Sequence, residues 1–118
     1  MEGDRVERVA QLLREGIGEL LARRVKDPDV QGVTITDVRV SPDLGVAKVY
    51  FAAETAKAAT IQRGLQRASS FLRRELGGKL RLKRTPELRF ERDEALEEGM
   101  HIDEVLREIA ESDTRSEP

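Results

Sequence analysis

Between Glu54 and Glu75 the chain carries no acidic residue, while Lys57, Arg63, Arg67, Arg73 and Arg74 all fall inside that interval. A helical turn of about 100° per residue would set Arg63, Arg67, Ser70 and Arg74 on one face, with Ile61, Leu65, Ala68, Leu72 and Leu76 opposite. The polar side of this amphipathic stretch is then cationic rather than mixed. Solvated helix faces usually gain from opposite charges four residues apart, whereas Arg63 and Arg67 at that spacing repel. A plain solvated face leaves that repulsion unanswered; an anionic partner cancels it. The guanidinium group is a planar fork suited to phosphate oxygens. Lys79, Arg81, Lys83 and Arg84 prolong the positive block. The chemistry indicated is the holding of a nucleic-acid backbone, and charge alone does not say which nucleic acid.

Other chemistries lack their residues. With no cysteine in the chain there is no disulfide, thiol nucleophile or cysteine-based metal site. His101 is the single histidine, and its neighbours Asp103 and Glu104 make a poor ligand set, so it reads as a surface residue. Glu97-Glu98 and Asp103-Glu104 read as solvated pairs in an acidic segment. The P-loop, G-x-S-x-G and H-E-x-x-H patterns are absent. No catalytic residue, metal or cofactor is therefore expected, and the chain is not expected to be an enzyme. The few aromatics, Tyr50, Phe51, Phe71 and Phe90, do not make the stacking platform of an RRM or an OB-fold, and Phe51 and Phe90 are assigned to the core.

The elements that position the basic stretch fit one domain of 118 residues, 37% of them charged. A net charge of −2 conceals an asymmetry: residues 63–92 carry 10 basic and 3 acidic side chains, and residues 93–118 carry 2 basic and 10 acidic. A local basic block is what a polyanion meets. No apolar run is long enough to cross a membrane, and Met1-Glu2-Gly3-Asp4 lacks a signal-peptide core, so a cytoplasmic location is expected.

Asp4-Arg5-Val6-Glu7 reads as a capping box opening a helix, with Val6, Val9, Leu13, Ile17, Leu20, Leu21 and Val25 at helical spacing as far as Asp27-Pro28. Gly16 and Gly18 each cost this helix roughly 1 kcal/mol against alanine, which implies a closely packed neighbour. Gly32 to Val40 reads as a strand whose apolar parity changes near Thr36-Asp37, the mark of a bulge. Ser41 to Gly45 is a turn, and Val46 to Ala52 a second strand, completing a hairpin. A helical region from Thr55 to Leu76 follows, ended or broken by Gly77-Gly78. Residues 79–84 form a basic connector, and Glu87 to Arg92 a third strand opened by Pro86. Asp93 to Gly99 reads as a loop, Ile102, Val105, Leu106 and Ile109 as an amphipathic helix, and residues 111–118 as a disordered acidic tail. The economical solution is α+β: one three-stranded sheet covered by helices.

Several segments carry a resemblance, and their order and spacing are specific together. They are Arg5-Val6-Glu7-Arg8-Val9-Ala10, Lys26-Asp27-Pro28, Val33 to Val38, Ser41-Pro42-Asp43-Leu44, Ala47-Lys48-Val49-Tyr50, Ala68 to Arg73, Pro86 to Phe90, Asp93-Glu94 and Gly99-Met100. Over about residues 5–110 the chain resembles the bacterial ribosome-binding factor A proteins. The resemblance implies a single KH-like domain of type II, α-β-β-α-α-β, over residues 1–110. In that family a kinked helix pair with an Ala-x-Gly signature replaces the G-x-x-G loop of other KH domains. The matching positions are Ala68, Ser69 and Ser70; Ser70 departs from the glycine, though serine can bend a helix by bonding back to a carbonyl.

The role implied is that of a non-catalytic, monomeric assembly factor. It would bind the small ribosomal subunit through its rRNA and assist late maturation of that RNA, including during growth in the cold. Arg67, Arg73, Arg74, Lys79, Arg81, Lys83 and Arg84 would hold phosphates, the kink residues Ala68, Ser69 and Ser70 would face the RNA, and Arg5 and Arg8 would extend the surface. The acidic C-terminal segment would stay clear of RNA or touch a basic ribosomal protein. The competing reading is a protein–protein adaptor working through that acidic segment.

Overall fold

In the computed structural model, residues 2–94 are described. The expectations for the rest of the 93–99 loop, for the helix through Ile102 and Ile109, for His101, Glu97-Glu98 and Asp103-Glu104, and for the 111–118 tail lie outside those residues.

The first helix, α1 (Glu2–Arg23), begins two residues before the expected cap, so Asp4 lies inside it and not at its N-cap. There Asp4 still meets the positive end of the helix dipole. The expected apolar stripe is buried: Val9, Leu13, Ile17, Leu20 and Leu21 face the core. The helix stops earlier than expected, because the amides of Arg24 and Val25 both donate to the Leu20 carbonyl, at 2.8 and 3.0 Å. Asp27-Pro28 then opens a short 3₁₀ helix, Pro28–Val30, that the sequence did not suggest. Asp27 caps it by accepting from the Asp29 amide at 3.0 Å, and Val30 is buried.

Strands β1 (Thr34–Val40) and β2 (Val46–Ala52) pair antiparallel, and the register jumps between Ile35↔Phe51 and Asp37↔Tyr50. Thr36 is the extra residue of the expected bulge, which lets Ile35 and Val38, of opposite parity, both point inward. The strand starts at Thr34 and not Gly32, which sits at φ 75° in the preceding turn. Between the strands, the Asp43 carboxylate accepts from the Ser41 hydroxyl (2.7 Å) and the Gly45 amide (2.9 Å).

Helix α2 (Thr55–Leu80) crosses over to β3 (Glu87–Arg92), which lies parallel to β2 and completes the order β1-β2-β3. One side of the sheet meets the helices: Ile35, Val38, Ala47, Val49, Phe51, Leu88 and Phe90 pack with Leu65, Ala68, Leu72 and Leu76 of α2 and the stripe of α1. Phe51 and Phe90 are core, as expected. The fold is the expected α+β, KH-like arrangement, with one correction. Where a kinked helix pair was expected, α2 runs as one helix through Ala68-Ser69-Ser70 and through Gly77-Gly78, so the described order is α-β-β-α-β. The physical reason is continuity of the buried stripe: Leu65, Ala68, Leu72 and Leu76 keep helical spacing across the expected kink, and Ser70 supplies no glycine to break it.

The glycines show where elements approach closely. A Cβ on Gly16 would lie 2.6 Å from Leu76 Cδ2, so α1 crosses α2 there, as its cost implied. Gly18 has nothing within 4 Å, and the structure gives no reason for it. Gly77 does not end the helix; a Cβ there would sit 2.7 Å from Thr85 Oγ1, so it makes room for the returning connector. The helix is closed instead by Arg81 in the left-handed conformation, φ 53°.

Candidate nucleic-acid interface

The outward face of α2 presents Arg63, Ser70 and Arg74 as expected, all exposed, with Ser69 half-buried beside them. Ala68 is different. It is 9% exposed and belongs to the core, so its side chain is not a surface contact. It acts by letting α2 lie close to its neighbours, as alanine in a packed seam does.

Arg67 lies on the expected face but is already engaged. Its Nε and Nη2 donate to Asp27 Oδ2 at 3.0 and 2.7 Å, and Nη2 also donates to Asp29 Oδ2 at 2.7 Å. The hydrogen bond from Arg67, helped by that from the Asp29 amide, holds the Asp27 carboxyl below its ordinary range; the Asp27 hydrogen bond in turn raises the guanidinium. Two carboxylates on one guanidinium leave the cluster net negative. Its evident work is to fasten the 3₁₀ segment to α2. Gly64 forms the seat, since a Cβ there would lie 2.7 Å from Val30 Cγ1 and 3.2 Å from Asp29 Cβ.

Two other expected phosphate ligands also serve the fold. Arg73 donates through Nε to the Pro86 carbonyl and through Nη2 to the Thr85 carbonyl, both at 3.1 Å, and so orients the connector into β3 while its charge stays uncompensated. Lys79 pairs with Glu19 of α1 at 2.9 Å. Arg81, Lys83 and Arg84 are exposed on the connector. Among the described residues Arg63, Arg73, Arg74, Arg81, Lys83 and Arg84 have no carboxylate within 4.0 Å. Cations without a carboxylate this close therefore run along α2 from Arg63 to Arg74, on both sides of residues 68–70, and on along the connector. Arg5 and Arg8 are exposed on α1 but lie roughly 16 and 12 Å along the helix axis from Gly16, where α1 crosses α2. The structure does not bring them into the α2 patch.

Three participants were not foreseen. Asp27 and Asp29 gave no signal, because their partner Arg67 is far along the chain. Arg24, just past α1, has its Cζ 5.6 Å from the centroid of the Phe71 ring, and Arg74 approaches the same ring at 6.0 Å. Nothing in the spacing of Arg24 could have pointed to Phe71. The arrangement as a whole can do one thing chemically: a run of guanidinium and ammonium groups beside a partly buried aromatic ring can hold a polyanion.

Known proteins agree with this geometry. The sequence model of the family described as Ribosome-binding factor A matches residues 5–106. A ribosome-binding factor A from Enterococcus faecalis is 45% identical over 115 residues, spanning 92% of this chain and 97% of the relative. The crystal structure of ribosome-binding factor A from Thermus thermophilus superimposes with a TM-score of 0.68 at 28% identity, covering 74% of this chain and 93% of that one. A homology model of the Thermus thermophilus factor, fitted into a cryo-EM map of its complex with 30S, aligns with a TM-score of 0.52 at 29% identity over 73% of this chain and 88% of that one.

Proposed function

Since the chain belongs to the ribosome-binding factor A family, we propose that it binds the small ribosomal subunit through its rRNA and assists late maturation of that RNA without catalysing a reaction. The observation that carries this reading is the gathering on α2 and the connector of cations with no carboxylate within 4.0 Å among the described residues: Arg63, Arg73, Arg74, Arg81, Lys83 and Arg84. A phosphate backbone releases its counterions to such a surface, and the fixed helix presents the charges in register. The 30S complex of the Thermus thermophilus relative supports the choice of partner. Arg67, Lys79 and Ala68 contribute by holding the surface in shape, and Arg5 and Arg8 by long-range field. The protein works as a monomer in the cytoplasm, and its loss is felt most during growth in the cold, where misfolded RNA helices persist longest.

Co-sedimentation with purified small subunits tests the proposal. Lys83→Glu combined with Arg84→Glu should release the protein from the subunit while its helical circular dichroism stays unchanged. Both side chains are exposed and neither makes an ion pair among the described residues. Co-sedimentation of the double variant at the level of the unmodified chain would refute binding through this surface.

A further inference from the structure

Phe71 lies on α2 beside its buried stripe and is only half-buried, packed at the margin of the core. Two guanidinium groups converge on its ring, Arg24 from the end of α1 and Arg74 from the next turn of α2, at 5.6 and 6.0 Å from the centroid. Like charges brought together repel. Here the negative face of the ring offsets part of that repulsion, and Glu75 offsets more by pairing with Arg24 at 3.6 Å. The same ion pair steadies the Arg24 plane. That side chain remains 57% exposed, and with Glu75 it lines a cleft of about 170 Å³ between α1 and α2. The site thus joins a partly buried aromatic ring to an exposed guanidinium plane, next to the charged stripe of Arg63, Ser70 and Arg74.

We propose that Phe71, with Arg24 and Arg74, is a stacking site for one unpaired base of single-stranded RNA. The inference rests on the RNA-binding reading above and adds what that reading lacks, a way to tell single strands from duplex. Aromatic faces and arginine planes are the surfaces on which proteins stack splayed-out bases, whereas a duplex keeps its bases stacked on one another. A strand held through its phosphates along the outer face of α2 passes this ring and can turn one base onto it.

The chain contains no tryptophan, so Phe71→Trp introduces a single fluorophore at the site. Its emission should be quenched saturably by a single-stranded RNA oligonucleotide and not by the duplex of the same sequence. Phe71→Leu, which keeps apolar packing, should weaken single-strand binding roughly 5- to 100-fold, the effect of losing one stacked base, while leaving the salt dependence unchanged. Arg24→Lys keeps the charge, removes the plane and leaves the core alone, and should weaken binding in the same sense. The proposal is overturned if the Phe71→Trp protein binds a labelled single strand by anisotropy without quenching, or if Arg24→Lys binds like the unmodified chain. In either case RNA binding itself stands. Failure of the unmodified chain to bind any RNA would refute the underlying reading instead.

Discussion

The salt dependence of subunit binding is set by how many cations meet phosphates, and the proposed surface offers six. Arg63, Arg73, Arg74, Arg81, Lys83 and Arg84 have no carboxylate within 4.0 Å among the described residues, whereas Arg67 is held by Asp27 and Asp29, and Lys79 by Glu19. Each phosphate met on a single strand contributes about −0.7 to the slope of log affinity against log salt. Six contacts give a slope of roughly −4, or about a 300-fold loss of affinity between 50 and 200 mM salt. Counting Arg67, Lys79, Arg5 and Arg8 as phosphate ligands too would raise the slope to about −7. The assay is anisotropy of a labelled single-stranded rRNA fragment at a series of salt concentrations. Arg74→Gln should reduce the slope by about 0.7, and Arg67→Gln should leave it unchanged. A slope near −7 would refute the confinement of phosphate contacts to these six cations, and an Arg67→Gln effect equal to that of Arg74→Gln would refute the division into free and engaged. A flat salt profile would refute phosphate binding altogether.

Gly18 has nothing within 4 Å, so Gly18→Ala should stabilise the fold by up to about 1 kcal/mol through helix propensity. Gly16→Ala should lower the melting temperature, because its methyl would meet Leu76; thermal unfolding followed by circular dichroism reads both. Arg81 adopts φ 53°, so Arg81→Gly should stabilise by about 1 kcal/mol on removing left-handed strain while lowering the salt slope by about 0.7. One variant then moves stability and binding in opposite directions. Because Arg67 holds the Asp27 carboxyl below its ordinary range, the stability it gives is present above about pH 4, the ordinary aspartate value, and is lost as pH falls through the depressed folded value. Acid unfolding curves of the unmodified chain and Arg67→Met should therefore differ most above about pH 4 and converge below it; a gap that widens on acidification would contradict the clasp.

What could be read from the sequence and what could not divide along a physical line. The bulge at Thr36 is legible because a change of strand parity is written in four neighbouring residues, Val33, Ile35, Val38 and Val40, whose side chains must reach one core. The bounds of β2 and β3 are legible for the same local reason. The charge of α2 is legible, but its use is not: Arg67 and Arg74 stand on one helical face with the same chemistry, and only the third dimension gives one of them two carboxylates and the other an aromatic ring. At Ala68-Ser69-Ser70, where the resemblance implies two helices, the structure has one continuous helix. A helix divides there when glycine weakens the backbone, and in this chain serine follows an alanine that the core already holds. The same continuity has a consequence for function. Because α2 is not interrupted at Ser70, Arg63, Ser70 and Arg74 stay on one face of a single helix. That face leads from Arg63 past Phe71 towards the connector cations Arg81, Lys83 and Arg84, so the continuous helix sets phosphate contacts and the proposed base site in one row.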